Sequence, residues 1–163
     1  MKLTIIFIAI LLTGLSAGLF YSWSVSVIPG TKKISDINYL STMKSINKEI
    51  LNPMFFIIFF GPLLTLGISA VQQYTNNSVF LLIFFSGVIF LVGTFGVTAF
   101  GNVPMNKQSD SLFIENLSVS ELSDWRHYYE SLWNKLHIIR TLFSVTSFIL
   151  VLLAVFKMTE QKI

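Results

Sequence analysis

The residues best equipped for chemistry stand together near the C-terminal end of the chain: Trp133, Asn134, His137 and Arg140. An imidazole can take or give a proton near neutral pH, and a guanidinium is a permanent cation suited to holding an oxyanion. At helical spacing Trp133, His137, Arg140, Ser144 and Ser147 fall at i, i+4, i+7, i+11 and i+14, one stripe on one face. From Thr141 to Phe156 the sequence is almost wholly apolar, so the helix carrying them is expected to run on into a bilayer. An ionisable pair at the entrance to such a helix cannot comfortably meet lipid and points to a site. The same residues admit a structural reading, with Arg140 snorkelling to headgroups and His137 satisfied by Asn134 one turn away.

The elements that must position them are membrane helices. Of 163 residues 53% are hydrophobic, only 12% are charged and 16 are phenylalanine, with a mean hydropathy of +0.72. Soluble domains carry about 25% charged residues, whereas a bilayer solvates apolar side chains directly. The formal charge of +3 is spread among loop lysines, which gives no stripe for nucleic acid. With no cysteine there are no thiolate metal sites, iron-sulfur clusters or cysteine nucleophiles. The two histidines, His127 and His137, would lie about 15 Å apart along one helix, so a metal held by both within one chain is not expected.

Four helices are expected, over about 3–28, 53–71, 79–101 and 119–157. The first is too long for a signal-peptide core and lacks an alanine-type cleavage pair. Gly14, Gly18, Ser22 and Ser26 recur along it at four-residue intervals, a row that predicts close packing against another helix, and Pro29-Gly30 marks its end. Between it and the second helix Ile37, Leu40, Met43, Ile46 and Ile50 predict a short amphipathic helix lying along the interface, with Ser35-Asp36 as its cap. Asn52-Pro53 opens the second helix, and Gly61-Pro62 predicts a kink in it. After the third helix and Gly101 to Asn106, residues 107 to 117 form the only long polar loop. Ser118-x-x-Glu121 is a capping box for a last helix of about forty residues whose first half projects beyond the bilayer. Lys157 to Ile163 is a polar tail.

Alternating crossings bring the unusual polar residues to one side: Ser22, Trp23 and Ser26, Asn47 and Asn52, Asn102 and Asn106, and Trp133, Asn134, His137 and Arg140. The other side holds Gln72, Gln73, Asn76 and Asn77. Asparagines around a histidine can orient a carbonyl or phenol and fix the imidazole tautomer. Each also has a plainer use, the asparagines as helix caps and the tryptophans as interfacial anchors. Carboxylates are confined to loops, the outer part of the last helix and the tail, which disfavours ion transport.

Four stretches together resemble the anthrone oxygenase-like family of small membrane proteins. They are Ala17-Gly18-Leu19-Phe20-Tyr21-Ser22-Trp23-Ser24, Ile46-Asn47 with Asn52-Pro53, Asn102-Val103-Pro104-Met105-Asn106, and Trp133-Asn134-x-x-His137-x-x-Arg140-Thr141. The resemblance covers nearly the whole chain. It implies oxidation of an acidic C–H flanked by aromatic rings, with no cofactor and no metal, the carbanion reducing O2 directly. His137 would then be the general base and Arg140 the enolate partner, helped by Asn102, Asn106 or Asn134. Trp23 and Trp133 would stack on a flat substrate, with Asn47 and Asn52 completing the wall.

The expectation is therefore an all-α, antiparallel bundle of four transmembrane helices in one domain, with polar loops and an extended last helix on one side. Expected partners are membrane lipid and a small apolar aromatic molecule, with no nucleic acid and a homo-oligomer allowed. The contrasting expectation is a non-catalytic bundle that binds a lipid or quinone-like molecule or supports a partner protein. An open pocket of a few hundred Å3 beside His137 would favour a ligand, and a closed, mutually satisfied network would favour structure. Seven lysines and arginines on the long-loop side (Lys32, Lys33, Lys44, Lys48, Lys107, Arg126, Lys135) against Lys2, Lys157 and Lys162 place those loops in the cytoplasm of a cell bounded by a bacterial plasma membrane.

Overall fold

Long uninterrupted apolar runs can satisfy their backbone in lipid only as helices, and the chain obeys. The computed structural model describes residues 2–160. Four long helices are apolar enough to cross a membrane: α1 (Leu3–Thr31), α3 (Pro53–Gln72), α4 (Asn77–Asp110) and α5 (Val119–Glu160). A shorter one, α2 (Asp36–Glu49), connects α1 to α3, and no strand occurs among the described residues. Their entries follow the sequence signals. The Asn52 side-chain oxygen accepts from Phe55 N–H at 3.0 Å, and the capping box closes with Ser118 N–H donating to Glu121 Oε2 at 2.8 Å.

Two boundaries differ from expectation, for one shared reason. Helix α1 passes through Pro29-Gly30 to Thr31 instead of ending near 28, and α4 passes through Gly101 and Pro104 to Asp110 instead of ending near 101. In each, a π-helical stretch precedes the proline: Trp23–Val27 before Pro29 and Thr98–Asn102 before Pro104. There the backbone bonds span five residues, Ile28 N–H to the Trp23 carbonyl and Val103 N–H to the Thr98 carbonyl. A proline has no N–H to contribute, and placing it one residue beyond a widened turn lets the helix continue. The polar loop after α4 therefore shrinks to 111–118 around a short turn at Ile114–Asn116. Helix α3 continues through Pro62. Helix α5 extends to Glu160, so the expected polar tail begins inside it and residues 161–163, with Lys162, lie outside the described residues.

Helix α1 packs against α3 and α5, and α4 packs against the same two. One apolar layer, including Ile6, Ala9, Leu66, Ile83, Phe90 and Val151, fills the end of the structure nearest the α3–α4 turn. A second, built from Tyr39, Leu40, Met43, Met105, Leu122, Tyr129 and Trp133, lies under α2. Helix α2 turns its apolar side onto the other helices. Its Tyr39, Leu40, Met43 and Asn47 are buried against α5 and the last segment of α4, and Ile37 faces outward. Arg126 fastens it, donating to the carbonyls of Ile34 at 2.6 Å and Thr31 at 3.2 Å, to Asp36 at 2.9 Å and to Glu130 at 3.1 Å. The same guanidinium sits 4.6 Å over the Tyr39 ring. Burial, with Glu130 close by, pushes the Tyr39 phenol above its ordinary range, so it stays neutral in the cap. Ser35 stands at the N-cap of α2 without a side-chain cap bond.

The small-residue row of α1 also departs from expectation. Gly18, Ser22 and Ser26 are exposed, and the inward face is instead Ile6, Ala9, Thr13, Ala17 and Phe20. Gly14 alone of the row keeps the expected close approach, an added Cβ there coming 3.0 Å from the Phe148 ring of α5, and tighter approaches occur at Gly61, 2.6 Å from the Leu12 side chain, and at Gly93, where an added Cβ would come within 1.8 Å of the Phe143 ring. Only glycine lets α4 and α5 meet there.

Candidate functional site

Between the two apolar layers the stripe on α5 faces inward as its spacing predicts: Trp133, His137, Arg140, Ser144 and Ser147 are all buried. The widened turns of α1 and α4 fall at the same level and supply the opposite walls with Phe20, Trp23, Thr98 and Asn102. Wide turns of this kind cluster at functional sites because they re-aim side chains locally.

His137 is fully buried and spans α1 and α5. Its Nε2 lies 3.1 Å from the Phe20 carbonyl, 2.9 Å from Ser24 Oγ and 3.4 Å from Thr141 Oγ1. Its Nδ1 lies 3.1 Å from Arg140 Nε and 2.9 Å from Arg140 Nη2. A carbonyl only accepts and a guanidinium only donates, so Nε2 carries the hydrogen and Nδ1 offers its lone pair to Arg140. The imidazole is thus neutral and fully engaged. Trp133 stacks on it at 5.2 Å with an 8° interplanar angle.

Arg140 is held between two aromatic faces, 4.7 Å over the Phe20 ring and 4.9 Å over the Trp133 ring. Cation–π contacts replace part of the lost hydration, yet the charge is uncompensated. Among the described residues the ion pairs are Arg126 with Asp36 and with Glu130, and no carboxylate reaches Arg140. Its guanidinium borders a cavity of about 150 Å3 whose wall includes Leu19, Phe20, Trp23, Asn47, Ile50, Phe55, Thr98, Asn102, Asn106 and Trp133, with Lys107 and Asp110 also in its lining. A cavity of this size encloses about one aromatic ring. It is smaller than the few hundred Å3 that a whole polycycle would want, and Arg140, not His137, is the member of the pair that lines it.

Three asparagines are fixed around the same space. Asn47 donates to the Tyr129 hydroxyl at 3.0 Å, and that hydroxyl donates to Asn106 Oδ1 at 2.9 Å. Asn106 Oδ1 also accepts from Trp133 Nε1 at 3.0 Å, so its amide nitrogen is left as the donor. Asn102 is 1% exposed. Its nitrogen donates to the Trp133 carbonyl at 3.4 Å, while its Oδ1 is buried without a partner. Turning that amide over would set oxygen against oxygen, so the orphan is an acceptor. A buried acceptor without a partner costs about 1–3 kcal/mol, which a ligand bearing a hydroxyl would recover.

Of the residues singled out in the sequence, Trp23, Asn47, Asn102, Asn106, Trp133 and Arg140 border one cavity, with His137 directly behind Arg140. Two do not join them. Asn52 is an exposed helix cap whose nitrogen donates to the Glu49 carbonyl at 2.8 Å. Asn134 is half-buried and is not among the hydrogen-bond partners of His137, whose ring is already occupied. His127 lies elsewhere, beside a shallow outer depression with Ser123 and Lys135. Among the described residues no three His, Cys, Asp or Glu side chains gather.

The sequence reading missed Ser24, Phe20 and Tyr129. Extending the α5 stripe one step back from Trp133 lands on Tyr129, so that signal was present. Spacing gave Ser24 no such signal, although it stood in the family-like stretch from Ala17 to Ser24, since an unbroken α-helical register selects Ser22 and Ser26 and the π turn at Trp23–Val27 breaks that register.

A family model described as anthrone oxygenase matches residues 54–150. The stretch holds Asn102, Asn106, Trp133, Asn134, His137 and Arg140 and starts just after Asn52. No curated protein and no solved structure matches the chain.

Proposed function

Since the chain belongs to the anthrone oxygenase family, we propose that it oxygenates a small, largely apolar aromatic substrate with an acidic C–H, binding its oxygen at Arg140. The observation that carries this reading is the buried Arg140 cation, which has no counter-ion among the described residues and faces an aromatic-walled cavity. An uncompensated buried charge is costly. It becomes useful where negative charge develops during the reaction, because the donor needs no reorganisation.

The resting hydrogen bonds suggest how base and oxyanion partner cooperate. While Arg140 donates to His137 Nδ1, the imidazole has no free lone pair. A substrate carbonyl that draws the guanidinium toward itself uncovers Nδ1, which then takes the proton from the activated carbon. The Phe20 carbonyl and Ser24 hydroxyl stay on Nε2 and hold the ring in place. The enolate, its charge on the oxygen at Arg140, passes one electron to O2. The radical pair then joins through a C–O bond to a peroxide anion, which takes the proton back from His137 to become a hydroperoxide, and loss of water leaves a carbonyl. One O2 is consumed, one water is released and a CH2 carbon becomes C=O. Asn102 Oδ1 would receive a ring hydroxyl, and Trp23 and Trp133, 5.7 Å apart, would flank the ring.

A second reading rests on the same geometry. Because Nδ1 is engaged, the chain can bind a quinone-like ligand at Arg140 without turning it over. Oxygen uptake by purified protein given anthrone separates the two, with Arg140→Ala and His137→Ala as controls for autoxidation. A wild-type rate well above background that falls at least a hundredfold in both variants supports the oxygenase. Equal rates in all three, with anthraquinone still bound by the wild type, would transfer the assignment to ligand binding.

The basic residues of the loop side lead us to set the cavity at the cytoplasmic face of a bacterial plasma membrane.

A further inference from the structure

A second depression on the protein adjoins the cavity from outside. It lies between α1 and α3 and is bordered by Gly14, Leu15, Gly18, Asn52, Met54 and Ile58, together with Leu19, Ile50 and Phe55. Those last three also border the Arg140 cavity. They are half-buried, so a single layer of side chains separates the groove from the site. Both helices that form the groove are apolar enough to cross a membrane, which turns its open side toward lipid. Gly18 keeps it open: a Cβ there would meet nothing within 4 Å. At the inner end wait the unpartnered Asn102 oxygen and the unpaired Arg140.

We infer that the ligand of this site enters sideways from the bilayer, through the α1–α3 groove at Gly18 and past Leu19, Ile50 and Phe55. The inference rests on the cavity being a ligand site, as proposed above. An apolar aromatic molecule partitions into hydrocarbon, so the bilayer concentrates it at the groove. The competing route is the polar mouth at Lys107 and Asp110, both exposed, which suits water and protons better than a polycycle.

The test uses 9,10-anthraquinone, delivered in detergent micelles and mixed by stopped flow with the full-length protein, while tryptophan quenching reports arrival at Trp23 and Trp133. Gly18→Phe places a ring in the groove from a position where an added Cβ meets nothing within 4 Å. It is expected to lower the association and dissociation rates together, about tenfold each, and leave Kd unchanged, since an obstructed passage slows both directions equally. Gly67→Phe, also in open space but away from the groove, controls for added bulk and should match wild type. Unchanged rates in Gly18→Phe, equal slowing in Gly67→Phe, or slowing confined to Lys107→Phe would each overturn lateral entry while leaving the site in place. A change in Kd carried by the dissociation rate alone would overturn it too, by making Gly18 part of the binding surface. Failure of anthraquinone to quench the wild type would remove the ligand site itself, and the entry route with it.

Discussion

Two of the buried polar junctions of helix α5 are built on opposite plans. Near the middle of the apolar layers, Ser86 Oγ donates to the Ser147 carbonyl at 2.8 Å and Ser147 Oγ donates to the Ser86 carbonyl at 2.9 Å. The two hydroxyls are 2.9 Å from each other, so the junction is closed. About three turns away, His137 joins α5 to Phe20 and Ser24 of α1, but beside it Arg140 lacks a counter-ion and Asn102 lacks a donor. In a low-dielectric interior an unmet polar group is expensive. A junction that serves only to hold helices together can be saturated cheaply with serines, as the first one is. The unsaturated plan of the second fits the proposal that another molecule binds there.

The largest effect should come from separating charge from stability. Arg140→Met keeps volume and apolar contact with Phe20 and Trp133 but removes the cation. Oxygen uptake with anthrone should fall about 10²–10³-fold, the loss typical of one oxyanion donor. Thermal stability should change little, since the gain from replacing a buried charge with a well-packed hydrophobe is set against the loss of the donor to His137 Nδ1. A variant that lost stability and activity in parallel would make Arg140 a structural residue and erase the contrast between the two junctions.

Next comes the interface that carries the closed junction. Gly93→Ala forces a Cβ to within 1.8 Å of the Phe143 ring, and overpacking of this kind costs about 1–3 kcal/mol. Phe143→Ala in the same chain should restore much of it, which a double-mutant cycle on thermal or denaturant unfolding would read. Smaller again is Ser147→Ala. Interhelical hydrogen bonds in membranes average about 0.6 kcal/mol with a maximum near ~1.7, and oxygen uptake should be unaffected. Ser86→Ala added to it should cost little more, because the pair functions as one unit.

The gross architecture was legible because lipid leaves little freedom. Apolar runs of helical length, Asn-Pro at 52–53 and the capping box at 118–121 are local signals, and each of them marks a helix where it should. The α5 stripe was equally legible, since Trp133 through Ser147 share a face by arithmetic alone. What failed was any inference that assumed unbroken α-helical register. The π turns at Trp23–Val27 and Thr98–Asn102 carry α1 and α4 past their prolines, turn Ser24 inward in place of Ser22 and Ser26, and extend α4 into the start of the expected loop. Asn134 failed for a different reason. Helical proximity put it one turn from His137, but the imidazole had nearer partners in Ser24, Phe20 and Arg140, and those depend on tertiary packing that spacing cannot report. Which nitrogen of His137 is protonated was likewise unreadable until the Phe20 carbonyl and the Arg140 guanidinium were both in view.

The smallest predicted effect concerns the cap and shows which charges matter to the site beneath it. Arg126 and Arg140 are both on α5, yet Arg126 has two carboxylates and several carbonyls while Arg140 has neither. The Asp36 side chain is 37% exposed in its pair with Arg126, and exposed ion pairs contribute about 0–1 kcal/mol. Asp36→Asn removes the charge but leaves Arg126 its bonds to Ile34, Thr31 and Glu130 and its contact with the Tyr39 ring. Stability should therefore drop by no more than about 0.5 kcal/mol, and raising the salt concentration should shrink even that difference. Oxygen uptake should match wild type, because α2 remains docked through Tyr39, Leu40 and Met43. A large loss of activity in Asp36→Asn would mean that the cap opens easily and that one surface charge keeps the Arg140 cavity closed to water, which would make the second junction depend on the cap and not on its own unmet groups.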